Sequence, residues 1–240
     1  MSGTFLNVAA ILLCGAVALT NRQLSPKVQT AIKGLLGVFT VFVGMKITVT
    51  SMGGSFAHIL KQFVIVMISL VVGNLIGRSL HLQDGSNRLG HYAKNQIEKA
   101  SAGQRPKFSS GFNTASLLFC LTPLALLGAL HDGLGSNWQT LAIKSVMDGL
   151  ATMAFVTTFG SSVVWSALPV LAFQGTLSLG ARYLAGVLPN PLLADSINAT
   201  GGMLLFTVAL VIFEFRKVRL ADMLPSLIVA PLITWFWLVR

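Results

Sequence analysis

Two side chains in this sequence carry charge where charge is expensive. Lys144 and Asp148 both lie inside the apolar stretch Trp138–Phe159. Four residues apart, they share one face of a helix and can pair. At ~1.5 Å per residue, Asp148 falls about 15 Å from Trp138, close to the middle of a ~30 Å hydrocarbon core. A charge at that depth costs several kcal/mol, so it comes with a partner or a role. Ser145, Gly149 and Thr152 continue the same face, which is therefore expected to point into a helix bundle rather than at lipid. Two chemistries fit. In one, Asp148 binds a cation or a proton and Lys144 tunes its affinity. In the other, the two form an internal ion pair that holds helices in register.

Other polar positions widen the candidate set. Gln174-Gly175 lies in the sixth apolar stretch, and Asn198, Thr200, Gly201 and Gly202 in the seventh. At least one of Gln174 and Asn198 is expected to face the same cavity as Asp148, although polar residues in spans often only hydrogen-bond helices together. Gly160-Ser161-Ser162 reads either as a broken-helix element presenting backbone groups to a ligand or as a two-helix turn. The candidate substrate- or ion-binding residues are thus Asp148, Lys144, Thr152, Gln174, Asn198, Gly160 and Ser161. His131-Asp132-Gly133 with Asn137 reads as a hairpin turn in preference to a gate or proton entry. An intramembrane enzyme would need a His or Asp pair at interface depth, for which His131 and Asp132 are the candidates. There is no phosphate loop, no Cys/His metal spacing and no nucleophile with an oriented base. Cys14 and Cys120 both sit in apolar segments, which argues against a disulfide or a metal site. Neither enzymatic activity nor a cofactor or metal is expected.

The elements that must position these residues are membrane helices. Of 240 residues, 54% are hydrophobic and 10% charged, against about 25% charged in a soluble domain, and the mean hydropathy is +0.76. The apolar segments are Gly3–Thr20, Thr30–Thr50, Phe56–Gly77, Gly111–Leu130, Trp138–Phe159, Ser161–Gly186, Leu193–Phe215 and Ala221–Val239. Each is too continuous for alternating barrel strands, so an all-α polytopic transmembrane bundle of about eight spans is expected. The whole chain, 1–240, reads as one integral-membrane domain. Pro123, Pro169, Pro225 and Pro231 are expected to kink or interrupt their helices, and Gly73-x-x-x-Gly77 to permit close helix contact. The second and seventh spans share a glycine followed five residues later by Phe-Thr-Val, from Gly34 and from Gly201. They run in opposite directions, the pattern of an inverted repeat, though four identities among apolar helices also arise by chance.

The net charge of +10 lies in short loops. That points to topology and anionic lipid, not to nucleic acid. Arg22, Lys27 and Lys33 flank the first connection; Arg78, Arg88, Lys94, Lys99, Arg105 and Lys107 the third; Arg216, Lys217 and Arg219 the seventh. These make 12 of the 17 basic residues. With eight spans they share one side, the cytoplasm, which leaves both termini outside with Lys61, Arg182 and Arg240. The polar connection 81–110 repeats Leu89, Tyr92, Ala93, Gln96 and Ile97 at helical spacing. It reads either as a cytoplasmic amphipathic helix on the inner leaflet or as a solvated linker.

Several runs resemble one family. They are Thr122-Pro123-Leu124 through His131-Asp132-Gly133-Leu134, Lys144-Ser145-Val146-Met147-Asp148-Gly149, Ser166-Ala167-Leu168-Pro169-Val170 with Gln174-Gly175, Thr200-Gly201-Gly202, and Met223-Leu224-Pro225-Ser226-Leu227. In this order, and over nearly the whole chain, the set is similar to the YdfK/YqgA-type family of bacterial inner-membrane proteins, a domain of unknown function. The resemblance implies a multi-pass protein of the bacterial plasma membrane and supplies no substrate. The leading expectation is a small secondary transporter or channel-like permease for a small solute or ion, homo-oligomeric in one version. The alternative is a non-transporting membrane scaffold, sensor or partner subunit.

Overall fold

A computed structural model describes residues 1–20, 24–101, 108–135, 137–187, 190–215 and 218–239, and among them every regular element is helical. The elements are α1 (Ser2–Leu19), α2 (Pro26–Thr50), α3 (Phe56–Ser79), α4 (Leu82–Ser101), α5 (Phe108–Leu121) and α6 (Pro123–Leu134). They continue with α7 (Gln139–Phe159), a 3-10 segment (Gly160–Ser166), α8 (Ala167–Val187), α9 (Pro191–Ile212), α10 (Leu220–Met223), α11 (Ser226–Thr234) and a π turn (Trp235–Val239). Two starts show why helices begin where they do. Ser25 accepts the Val28 N–H ahead of Pro26, and Asn190 accepts the Leu192 N–H ahead of Pro191. A capping oxygen satisfies a free amide, while proline at the first position gives up none that was needed.

Among the described residues, six helical stretches are long and apolar enough to cross a membrane, and the bent pair α5–α6 makes a seventh. The bend is 56°. It falls at Thr122-Pro123, where proline lacks the N–H and crowds the preceding turn. Pro225 likewise separates α10 from α11, and Pro231 precedes the π turn. Pro169 lies in the first turn of α8, where its missing N–H does no harm.

One of the six stretches is the continuous 49-residue run Gln139–Val187, and it folds back on itself. Near the start of α1, Gly3 meets Leu141 of α7 while Thr4 meets Ser178 of α8. Further along, Asn7 reaches Asp148 and Gln174, and Gly15 lies against Thr152 and Val164. The α7 contacts rise in number along α1 while the α8 contacts fall. Hence α7 runs parallel to α1, α8 antiparallel, and α1 is wedged between two arms of a hairpin. Counting the two arms separately gives eight helical stretches among the described residues. The reversal begins at Gly160, whose φ of +72° combined with a ψ of −156° suits glycine alone. An added Cβ there would meet nothing within 4 Å, so conformation, not space, selects the residue.

The crossings form two groups. One contains α1, α5, α6, α7 and α8 around Ile11, Phe119, Val156, Val163 and Val170. The other contains α2, α3, α9, α10 and α11 around Val43, Ile47, Leu204, Leu205 and Val208, with Leu124 and Leu127 of α6 and Ile143 of α7 inserted. In the second group α2 and α9 pack antiparallel, with Gly44 and Gly202 in contact. Gly34 and Gly201, the glycines of the similar sequence runs, do different jobs: Gly34 has nothing within 4 Å of its Cβ position, whereas Gly201 lies against the His131 ring. Gly73 and Gly77 place α3 directly on the Ser226 and Asp222 backbones, so this close contact is within the chain.

The connections after α1, α3, α7 and α9 gather at one end. Leu24, Ile97, Ala100 and Phe159 share one apolar cluster there, Lys33 lies 3.9 Å from Glu214, and Arg219 lies 3.6 Å from Asp84. Arg22, Arg105, Lys107, Arg216, Lys217 and Arg240 lie outside the described residues. The connection 81–110 is helical over Leu82–Ser101, with Ala93 buried, Leu89, Gln96, Ile97 and Ala100 half-buried, and Arg88, Lys94 and Lys99 outward. Its start is latched to α10. The Gln83 N–H donates to Asp222 Oδ1 (2.8 Å), the Ala221 N–H to Gln83 Oε1 (3.1 Å), and Arg219 Nε to Asp222 Oδ2 (2.6 Å).

We expect Gly77→Ala to lower the thermal stability of the detergent-solubilised protein, because the new Cβ would overlap the Asp222 backbone carbonyl, which cannot move aside. Gly90→Ala, with open space at its Cβ position in α4, is expected to be neutral or stabilising by up to about 1 kcal/mol.

Candidate functional site

Three helices converge on Asp148. Lys144 Nζ donates to Asp148 Oδ1 at 2.8 Å and to Oδ2 at 2.7 Å. Asn7 Nδ2, from α1, donates to Asp148 Oδ2 at 3.0 Å and to Gln174 Oε1 of α8 at 3.2 Å. Lys144 is 2% exposed and Asp148 5%. The ammonium also lies 5.9 Å from the Phe119 ring centroid, within cation–π range. The pair is neutral as a unit, both carboxylate oxygens are occupied, and the two side chains are buried. In so low a dielectric the attraction is strong, but so is the cost of leaving either charge alone.

Small residues make the convergence possible. An added Cβ on Gly149 would lie 2.8 Å from Cys14 Sγ, and one on Gly3 would lie 2.7 Å from Leu141 Cβ. The helix α1 thus approaches α7 closely enough for an asparagine side chain to span the gap. Two amide atoms of the cluster have no hydrogen-bond partner among the described residues: Asn7 Oδ1 and Gln174 Nε2. Both side chains are wholly buried.

Of the residues singled out by sequence, Lys144, Asp148 and Gln174 come together, with Thr152 one turn away. Thr152 donates its hydroxyl to the Asp148 carbonyl oxygen (2.7 Å), so it braces the backbone and leaves the carboxylate alone. Asn198 lies elsewhere, beside Gly135 at the end of α6. Gly160 and Ser161 form the α7–α8 reversal at the end of the bundle, 12 residues or about 18 Å of helix from Asp148. They are a turn between helices, and Ser162 closes it by donating to the Phe159 carbonyl oxygen (3.0 Å).

His131, Asp132 and Gly133 are not a hairpin turn. They belong to α6, and His131 and Asp132 are buried. Asp132 Oδ1 accepts the Gly3 N–H (3.3 Å), and Oδ2 lies 3.0 Å from the Met1 ammonium. The carboxylate therefore sits on the positive end of α1. Gly133 is small because Ser178 and Ala181 of α8 press on it. The His131 Nδ1 and Thr140 Oγ1 are 2.8 Å apart, while Nε2 faces Gly201 across the boundary between the two helix groups. Sequence reasoning passed over Asn7 and Thr4. Their signal was available: polar residues three apart on an otherwise apolar helix share one face, the same rule that selects Lys144 and Asp148.

A cavity of about 370 Å³ opens between α2, α7 and α9, at the end carrying the basic connections. Met147, Leu150, Ala151 and Val211 line it, with Lys33 and Glu214 at its mouth. Ala151 stands one helical turn from Asp148.

The family described as "Protein of unknown function (DUF554)" matches residues 2–235. The chain belongs to that family. It is similar to the "Uncharacterized membrane protein YdfK" of Bacillus subtilis (strain 168), at 25% identity over 234 residues, 97% of this chain and 95% of the relative. It is similar also to the "Uncharacterized protein YqgA" of Escherichia coli (strain K12), at 24% identity over 237 residues, 98% of this chain and 97% of the relative. No solved structure matches. Family, helical content and apolar spans together make this a multi-pass membrane protein.

The ion pair has a thermodynamic signature. We expect Lys144→Met and Asp148→Leu each to cost about 3 kcal/mol, and the double variant to cost clearly less than the sum, since only the singles strand a buried charge. Unfolding in detergent for the four proteins of the cycle measures the coupling.

Proposed function

We propose that this protein is a small secondary transporter or channel-like permease for a small solute or ion in the bacterial plasma membrane, with the Lys144–Asp148 pair at its centre. The observation carrying this reading is a mid-depth ion pair held by Asn7 of one flanking helix, which in turn donates to Gln174 of another. One turn away a cavity enters between the two helix groups. A sliding or rocking of one group against the other would extend that cavity toward Asp148; such a movement would also part His131 from Gly201, which meet across the boundary between the groups. In this reading the end bearing Lys33, Arg88, Lys94, Lys99 and Arg219 is cytoplasmic and meets anionic lipid, and the N-terminus is outside.

One observation favours a second reading. The pair is sealed and both carboxylate oxygens are engaged, as in a scaffold, sensor or partner subunit whose buried charges only fix helix register. Proteoliposomes separate the two. We expect uptake of at least one member of a broad solute panel by the wild type and at least tenfold slower uptake by Asp148→Asn. Equal uptake by both would remove Asp148 from the mechanism, and no uptake above empty liposomes would favour the scaffold.

Orientation has its own check. In intact cells a membrane-impermeant maleimide should label Ser55→Cys, before α3, and spare Asn95→Cys, on the outer face of α4. The reverse pattern would invert the assignment.

A further inference from the structure

We propose that the ligand of the Lys144–Asp148 site is a small zwitterion, an amino-acid-like solute bearing one ammonium and one carboxylate. This rests on the transport reading above for its access route but concerns the chemistry of the site alone. Among the described residues, Lys144 and Asp148 have only each other as charged partners within 4 Å. The other buried carboxylates are committed elsewhere, Asp132 to the start of α1 and Asp222 to Arg219. The centre is therefore neutral, and it must stay neutral when occupied.

That constraint sorts the candidates. A lone cation drawn to Asp148 would displace Lys144 and, while the lysine keeps its proton, leave a buried ammonium uncompensated. A lone anion drawn to Lys144 would strand Asp148 in the same way. Either outcome costs several kcal/mol. A neutral solute has nothing to offer the two charges in exchange for parting them. A zwitterion replaces both partners at once: its ammonium takes Asp148, its carboxylate takes Lys144, and four charges alternate in sign around a compact ring. The long, rotatable lysine side chain can swing aside to admit it.

The unpaired amide atoms fit the same ligand. An ammonium has three donors, of which Asp148 takes only part, and Asn7 Oδ1 is a buried acceptor without a partner. A carboxylate has acceptor sites beyond those Lys144 fills, and Gln174 Nε2 is a buried donor without a partner. An acceptor beside the carboxylate and a donor on the next helix make a complementary set for one cationic and one anionic head. Asn7 Oδ1 could also serve a bare metal ion, but Gln174 Nε2, a donor, could not.

The test uses the full-length protein in detergent, with thermal stability read in the presence of each of the twenty protein amino acids and glycine betaine. For every zwitterion that acts, the matching amine, the matching carboxylic acid and the matching neutral amide are compared at equal concentration. We expect at least one zwitterion to raise the melting temperature, and its singly charged and neutral relatives to do so at least tenfold more weakly. Gln174→Met should weaken that response about tenfold, since Asn7 still holds Asp148 and the ion pair stays intact. The Lys144→Met/Asp148→Leu double variant should lose it. An equal shift from an amine or acid alone, or no shift from any zwitterion, would overturn the proposal. Uptake of some other solute class into proteoliposomes without a zwitterion shift would leave transport standing and sink this assignment. A zwitterion shift without uptake would do the opposite.

Discussion

The insertion of α1 between the two arms of the α7–α8 hairpin governs everything else in this molecule. A helix wedged between two others must present a compatible surface on both sides, and α1 does so with Gly3, Thr4, Asn7 and Gly15. The glycines set the distance. The polar residues set the register, because Asn7 can serve Asp148 and Gln174 together at only one axial offset. In lipid the hydrophobic effect gives little drive for helices to associate, so backbone proximity and hydrogen bonds carry the assembly. Without α1 in place, Asp148 would keep Lys144 but lose its neutral donor, and the two arms would have no common partner.

This arrangement also explains why a costly ion pair is tolerable. Its two charges lie on one helix, so their mutual approach needs no tertiary structure and forms as soon as α7 does. Tertiary packing then only has to exclude water and add the Asn7 hydrogen bond. The same logic recurs at the two ends of the bundle. Asp132 sits on the first turn of α1, and Asp222 on Gln83 and Arg219. Each buried carboxylate thereby fixes the meeting of segments distant in sequence, at a place where apolar packing alone would let them slide.

Much of this was legible in the amino-acid sequence because lipid imposes simple rules. Continuous apolar runs mark the crossings, Pro123 marks the bend in the fourth, and Gly73 and Gly77 mark a close approach. The Lys144–Asp148 pair follows from spacing alone. What escaped were relations between helices. Nothing in the α9 sequence says that Asn198 lies beside Gly135 and away from Asp148, and a serine after Gly160 looks the same in a turn as in a ligand-binding break. His131 and Asp132 resemble loop residues by type. Their burial depends on α1 and α9 arriving against α6, which no local pattern encodes. Asn7 was hidden for the opposite reason: a single asparagine in an apolar helix carries little weight until its neighbours are known.

The surface helix α4 has a mechanical consequence. At its start Asp222 ties it to the group containing α3 and α10, while Ile97 and Ala100 near its end pack on the cluster built by α1, α5 and α7. Over 20 residues, about 30 Å, it runs as a strap from one half of the bundle to the other across one end. Separating the halves on that face would have to stretch or unseat the strap, whereas on the opposite face they meet by direct helix contact, Asn198 against Gly135 and Gly201 against His131. The two faces are therefore joined differently: a helix lashed across one, side chain against glycine at the other.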